Sequence, residues 1–457
     1  MDFRSMLRSY AAGVSRAFTL FVAALICPST AAAQIDLPSE THVDAARRAE
    51  IVDSVCASLN RIYVFRDVAQ QMEELVRAQM AEGAYDDDST VTEFAQALTA
   101  DLRSVSHDRH LGVQYAPPRP LAPRSNERDS DDTSRRLRER TRRNFEFKRV
   151  EILEGNVGYL RFDQFASAGQ AGPTAVAAMN FLANADAIIF DLRYNEGGSP
   201  NLIQLISTYL FEEPVHLNSC YFRQTDYTQE FWTLADVPGE RVPNALVYVL
   251  TSNRTFSGAE EFAYNLKSLE RATIVGDTTR GGAHQTRAVL FEHLNTRLRV
   301  PFGRALNPIT GTNWEGVGVI PDIPVPSERA LETAHLIALR ELRRVETDAR
   351  WSFALDWAIA GLERQLNPVT VDPSILVSYT GIYGSRTLRF EDGRLLYQGG
   401  RNAPMEAIPM SETLFRFTEN ASFRLEVVLD ESGQPIKLVG HYDSGQTDES
   451  PRSEPRP

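Results

Sequence analysis

Lysine is nearly absent from this sequence. Lys148, Lys267 and Lys437 are the only three among 48 basic residues, so any mechanism that needs an amine base has little to draw on. Cysteine is equally scarce, with Cys27, Cys56 and Cys220. Such a count builds no disulfide framework, and neither His-Glu-x-x-His nor a Cys-x-x-Cys pair occurs, so no metal and no other cofactor is expected. Whether Cys56 and Cys220 pair with each other stays open at this stage. Basic charge is not in excess: the formal net charge is −13, which gives nucleic-acid binding no electrostatic support. Long apolar runs and internal repeats are missing too, so no segment reads as a stable membrane span.

What is present is an ordinary globular balance, 42% hydrophobic and 24% charged over 457 residues. That is enough for roughly two or three domains with a sizeable core. Arg4, Arg8 and Arg16, the apolar stretch Ala17 to Ile26 and the small residues Ala31-Ala32-Ala33 read as a signal peptide over 1–33. The bulky Ile26 before Cys27 argues against lipid attachment. The protein is therefore expected to be exported, to the periplasm or beyond.

Helical spacing of apolar residues (Val43, Ile51, Val52, Val55, Leu59, Ile62, then Val68 to Met80 and Val91 to Leu102) predicts an N-terminal helical domain over 40–115. Residues 116–146 hold Pro117, Pro118, Pro120 and Pro123 and a charge-dense run, and read as a solvated linker or exposed helix. Over 147–347, short apolar strands alternate with helices, which predicts a largely parallel α/β core. The helices are placed at Pro173–Leu182, Pro200–Leu210, Ser257–Leu269 and Glu328–Val345, and 286–325 reads as β structure and loops. Residues 371–446 read as a small all-β domain, with a hairpin turn at Asp392-Gly393 and another at Glu431-Ser432-Gly433.

Four segments could carry chemistry. Thr255-Phe256-Ser257-Gly258-Ala259-Glu260 follows a strand and opens a helix, where a serine hydroxyl can face the sheet's carboxyl edge and the Gly258 N–H could hold an oxyanion. The competing reading is plain helix capping, since Ser257-x-x-Glu260 is also a capping box. Asp191 to Gly198 ends a buried strand in paired glycines, Gly197 and Gly198, which serve either close substrate approach or a tight turn. His107-Asp108-Arg109-His110 offers two histidines as base, or two surface residues. Glu315, between Trp314 and Gly316, could orient a histidine or be an ordinary turn acid.

In order along the chain, Tyr63-Val64-Phe65, Asp108-x-His110-Leu111, Asp191-Leu192-Arg193-x-Asn195-x-Gly197-Gly198, Thr251-Ser252-x-x-Thr255-Phe256-Ser257-x-Ala259-Glu260, Arg271 to Gly276, Gly281-Gly282-Ala283-His284 and the Glu315 segment form one set. This set resembles the serine peptidase family of tail-specific, tricorn-like and retinoid-binding-protein-like proteins, over residues 45 to 345. The resemblance implies a crotonase- or ClpP-like core and hydrolysis of a peptide or protein substrate. It implies a Ser257–His110–Glu315 arrangement, with His107 as rival base and Gly258, Gly197 and Gly198 as oxyanion donors. The family's alternative, a serine–lysine dyad, has Gly282 where its lysine would fall. Lys267 stands about 15 Å along the helix that Ser257 opens, too far to serve. Arg109 stands where tricorn has a serine said to assist its histidine. No segment reads as a PDZ domain, and a homo-oligomer is compatible with such a core. Retinoid-binding relatives keep this fold as carriers, so a non-catalytic binding protein for retinoid-like or fatty-acid-like apolar ligands is the alternative. A scaffold role through the C-terminal β domain is a third.

Overall fold

The computed structural model describes residues 42–117 and 126–453. The signal peptide read over 1–33, with Cys27, and three linker prolines (118, 120, 123) lie outside the described residues. Helix α1 (Ala45–Ile62) starts where the Asp44 carboxylate accepts the Arg47 N–H at 2.8 Å. It buries Ile51, Val52, Val55, Leu59 and Ile62 along one face. α2 (Arg66–Ala81) and α3 (Val91–Ser106) complete this layer, and α3 is started by a Thr90–Glu93 capping box. Its end is sharp, because His107 takes a left-handed conformation at φ 53° and turns the chain into β1 (Gly112–Tyr115).

After α4 (Asn126–Arg142), which carries exposed arginines such as Arg142, the main sheet begins. β2 (Phe147–Leu153), β3 (Val157–Phe162), α5 (Ala168–Phe181), β4 (Ala187–Asp191) and α6 (Pro200–Thr208) follow in turn. Then come β5 (His216–Phe222), β6 (Tyr227–Trp232), β7 (Leu246–Thr251), α7 (Gly258–Ser268), β8 (Thr273–Gly276), β9 (His284–Phe291), β10 (Thr296–Leu306) and β11 (Ile323–Pro324). The sheet order is β11-β8-β7-β4-β3-β2, parallel throughout except for β2. Alternation along β4 explains why both faces are covered. Ile188 and Phe190 join the core under α5, α6 and α7, while Ala187 and Ile189 join the core under α8 (Ala330–Val345) and α9 (Ala349–Leu366). Asp191 stands beside Leu250, and Leu250 beside Val275, so the loops leaving β4, β7 and β8 emerge together at the carboxyl edge.

A second, antiparallel sheet of order β1-β10-β5-β6, with β9 also on β10, packs its apolar residues against α1–α3. It places the segment before β1 and the start of β9 beside the carboxyl edge of the main sheet. The C-terminal strands, from β12 (Gly381–Tyr383) to β20 (Thr447–Pro451), form two antiparallel sheets around Tyr383, Phe415, Leu425 and Leu438. Asp392 and Gly393 both have positive φ (50° and 79°), as a two-residue hairpin turn requires. The Arg424 guanidinium stacks 3.7 Å from the Trp357 ring of α9.

The α/β core with helices before it and β structure after it is the fold class the sequence implies. Several elements differ in detail. α5 starts at Ala168, five residues before the proline taken as its start, with Pro173 inside the helix. The β5–β6 hairpin and α9 have no counterpart in the sequence reading. Cys56 and Cys220 are both buried and free, so no disulfide joins them. No helix among the described residues is long and apolar enough to cross a membrane.

Candidate active site

The loop after β7 is laced to the loop after β4. Thr255 Oγ1 donates to the Leu192 carbonyl at 2.9 Å, Ser252 Oγ to the Arg193 carbonyl at 2.5 Å, and the Phe256 N–H to the Asn195 carbonyl at 3.1 Å. These bonds hold Ser257 at φ 55°, ψ −121°, a strained conformation for a residue with a side chain. Strand, strained serine and helix thus follow one another, an arrangement that pushes a hydroxyl out of the sheet's edge. The Ser257–Glu260 capping pair is present in outline, but only its glutamate half is a hydrogen bond. The Ser257 N–H donates to Glu260 Oε2 at 2.8 Å, and the Ser257 hydroxyl makes no cap bond. A capping side chain belongs on extended backbone, which Ser257 is not.

Glu260 is fully buried and accepts four hydrogen bonds. Oε2 takes the N–H groups of Ser257 (2.8 Å) and Gly282 (2.9 Å). Oε1 takes the Gly281 N–H (2.6 Å) and Thr279 Oγ1 (2.5 Å). Burial pushes its carboxyl up, and these donors offset part of the rise. One side chain thereby ties the Ser257 turn to the loop after β8. A Cβ at Gly282 would press on the Phe256 ring and lie 2.7 Å from His110 Cε1. Only glycine leaves room there for the imidazole.

His110 sits between α3 and β1, fixed by neighbours on both sides. Its N–H donates to Asp108 Oδ1 at 2.9 Å, and Arg103 ties down the Leu111 and Arg109 carbonyls at 2.7 and 2.9 Å. The ring is buried and packs on Phe256 at a tilt of 32°, with centroids 4.5 Å apart. Burial lowers its pKa to about 4; Asp108 opposes the shift, and His284, Arg299 and Arg280 add to it. His110 Nδ1 is buried without a hydrogen-bond partner among the described residues, and so is Glu315 Oε1. Polar ligating atoms of His110, Glu315 and Asp108 all lie within 4.8 Å of one another.

His284, at the start of β9, completes the group. Its Nδ1 lies 2.6 Å from Asp108 Oδ2 and 3.5 Å from Glu315 Oε2, while the Tyr63 hydroxyl donates to Asp108 Oδ2 at 3.4 Å. Burial alone would lower the His284 pKa, but the bond to Asp108 and the nearby charges raise it. In turn, burial would raise Asp108, and His284 with His110 brings it below the usual carboxylate range. Glu315 Oε2 accepts the Ala283 N–H at 2.5 Å, and burial and then the Asp108 charge push its carboxyl up to about 7.

Ser257, His110, Gly197, Gly198, Gly258 and Trp314 line one cleft of about 690 Å³. No hydrogen bond joins Ser257 Oγ to His110 among the described residues. His107 is exposed at the C-cap of α3 and does not line the cleft. Of the three glycines read as oxyanion donors, Gly197 is corrected: its N–H is spent on Asn195 Oδ1 at 2.8 Å. The N–H groups of Gly198 and Gly258 carry no hydrogen bond among the described residues. Asp108, His110 and Glu315 could approach a small cation, but both Asp108 oxygens are already engaged.

Family profiles match at two places: that of peptidase family S41 over residues 156–325, and that of the family's N-terminal domain, as in eukaryotic IRBP, over 45–149. The chain belongs to peptidase family S41. It is accordingly a serine-type peptidase acting on peptide or protein substrates. Solved structures similar to this S41 peptidase include a candidate peptidase from Parabacteroides merdae (18% identity, 65% of this chain and 97% of that one, TM-score 0.47). The photosystem II D1 C-terminal processing protease gives 13%, 62%, 94% and 0.40 in the same order. The tricorn protease gives 12%, 70%, 37% and 0.42. At TM-scores below 0.5 these stand as likenesses only.

Within this S41 peptidase, Asp108 and His284 were visible in the sequence only as motif letters, and Glu260 only as a helix-cap partner. Because Glu260 satisfies four donors at once, Glu260→Ala is expected to cost about 3 kcal/mol or more in denaturant unfolding. Gly282→Ala is expected to displace the His110 ring at a smaller cost, about 1–3 kcal/mol. A neutral result for both variants would show that the loop after β8 is held in some other way.

Proposed function

We propose that this S41 peptidase cleaves peptide bonds with Ser257 as nucleophile, His110 as base and Glu315 as the carboxylate behind it. One observation carries this reading: His110 Nδ1 and Glu315 Oε1 are both buried and unpartnered in the same small cluster, beside a serine held in a strained turn. Two such atoms are costly apart and satisfy each other when joined. With Nδ1 directed at Glu315, His110 Nε2 is the nitrogen left to take the Ser257 proton. Ser257 Oγ then attacks the scissile carbonyl, and the N–H groups of Gly198 and Gly258 hold the oxyanion at the N-terminus of α7. His110 returns its proton to the leaving amine. A water, deprotonated by the same nitrogen, then frees the acyl product and restores the serine. Asp108 and His284 steady the carboxylate side of the relay, and no metal takes part in these steps.

The carrier reading finds no comparable support, since around the cleft that holds Ser257 the four arginines, two glutamates and two histidines outnumber the aromatic side chains of Phe256, Phe302 and Trp314. The N-terminal segment read as a signal peptide supports an exported compartment for this chemistry. A mature N-terminus at Gln34 on protein taken from the producing cells is the expected result, and an intact Met1 would overturn export.

A fluorophosphonate should modify Ser257 in the wild type, with labelling lost in Ser257→Ala, slowed about 10²- to 10⁴-fold in His110→Ala and unchanged by chelator. Unimpaired labelling in His110→Ala, with loss in His107→Ala, would reverse the assignment of the base.

The pH profile follows from the two perturbed groups. His110, lowered to about 4, is already neutral and able to accept a proton near neutral pH. Glu315, raised to about 7, is protonated below that pH and offers no negative charge to a developing imidazolium. Activity should therefore rise as pH increases through about 7 and fall on the acid side. In Glu315→Gln the plateau should drop and the acid limb should move towards 4. An acid limb left in place by that substitution would remove Glu315 from the relay.

A further inference from the structure

Four arginines, Arg103, Arg109, Arg280 and Arg299, line the cleft that holds Ser257 and His110. All four are exposed, and none forms an ion pair among the described residues. Arg103 spends its guanidinium on backbone carbonyls, and Arg280 lies 4.6 Å from the centre of the Phe256 ring. They are close enough to oppose one another. Partial burial lowers Arg103 first; Asp108 works against that, and Arg299, Arg280 and Arg109 add to it. The cleft holds two carboxylates besides, Glu196 and Glu261, and neither is paired with these guanidiniums. Glu261 is pushed up to about 7 by burial, so it contributes less negative charge than its type suggests. All this occurs in a chain of net charge −13, whose average surface would repel the anion these groups invite.

Clustered like charges without counter-ions weaken the fold slightly and are best explained by a ligand that neutralises them. We propose that this rim selects substrate chains carrying glutamate or aspartate side chains next to the scissile bond. The inference rests on the peptidase reading of Ser257, because it assigns the cleft to a peptide. A bulk polyanion such as nucleic acid fits less well, since the surrounding surface of an acidic protein repels it beyond the cleft.

The test uses the full chain carrying Ser257→Ala, so that binding is read without turnover. The probes are short fluorescent peptide pools with degenerate centres and both ends capped, identical except for Glu or Gln at the flanking positions. The Glu pool should bind about tenfold more tightly at low salt, a difference of about 1.4 kcal/mol. That preference should fade as the Debye length shrinks to about 3 Å near 1 M salt. It should also vanish in the Arg280→Gln, Arg299→Gln double variant while the Gln pool binds as before. Equal binding of the two pools, or a preference that survives in the double variant, overturns the proposal. So does a Gln pool with a free C-terminal carboxylate that matches the Glu pool, because the rim would then read a chain end. Failure of fluorophosphonate to label wild-type Ser257 while the Glu preference stands would sink the peptidase reading alone. Labelling of Ser257 with indifferent pools would sink the substrate preference alone.

Discussion

The site depends on the buried carboxylate of Glu260. Two backbone segments that start from neighbouring strands, the Ser257 turn after β7 and the 279–282 loop after β8, are tied together through its two oxygens, alongside one direct bond from the Arg280 N–H to the Thr255 carbonyl at 3.2 Å. Burying a carboxylate is expensive, and four donors are what make it tolerable here. The arrangement resists slippage, since any movement of the serine turn relative to the glycine loop strands a donor. The strained backbone at Ser257 persists for the same reason: the surroundings leave it no alternative.

The second half of the site arrives from elsewhere. His110 is presented by the junction of α3 and β1, and its ring rests on Phe256 over Gly282. A lysine side chain at position 282 would have to enter the space this ring fills. The imidazole and the amine are therefore alternatives for one place, and here the imidazole holds it. Asp108 is occupied by His284 and by the His110 N–H, which leaves Glu315 as the carboxylate with an oxygen to spare. Packing three acids and bases so closely separates their proton affinities. Asp108 is drawn down, Glu315 is pushed up, and His110 is kept neutral.

Much of this was legible in the sequence where the signal was local. The short apolar runs Ala187–Leu192 and Leu246–Leu250 marked parallel strands, and the residue types beyond them marked the loops that meet at the cleft. Asp392-Gly393 announced its hairpin. Interactions spanning long stretches of chain were not legible. The Asp108–His284 bond joins residues 176 positions apart, and no spacing rule points to it. Glu260 looked like a cap because its sequence spacing is that of a cap; it does accept the Ser257 N–H, and its bonds to Thr279, Gly281 and Gly282 are what the spacing could not show. Gly197 looked as good a donor as Gly198 until Asn195 Oδ1 was seen to hold its N–H. Among the elements, α5 extends upstream of Pro173. The β5–β6 hairpin lacks the clean polar–apolar alternation that makes a half-buried strand readable.

The central claim is that an imidazole from the helical layer joins the Ser257 hydroxyl to the Glu315 carboxylate. A crystal structure of the protein inactivated by a phosphonate tests it most directly. The account predicts phosphorus on Ser257 Oγ, a phosphonyl oxygen between the N–H groups of Gly198 and Gly258, and His110 Nδ1 within hydrogen-bond distance of Glu315 Oε1. Phosphorus on another residue, or a His110 ring still out of reach of both Ser257 and Glu315 in the adduct, would contradict it.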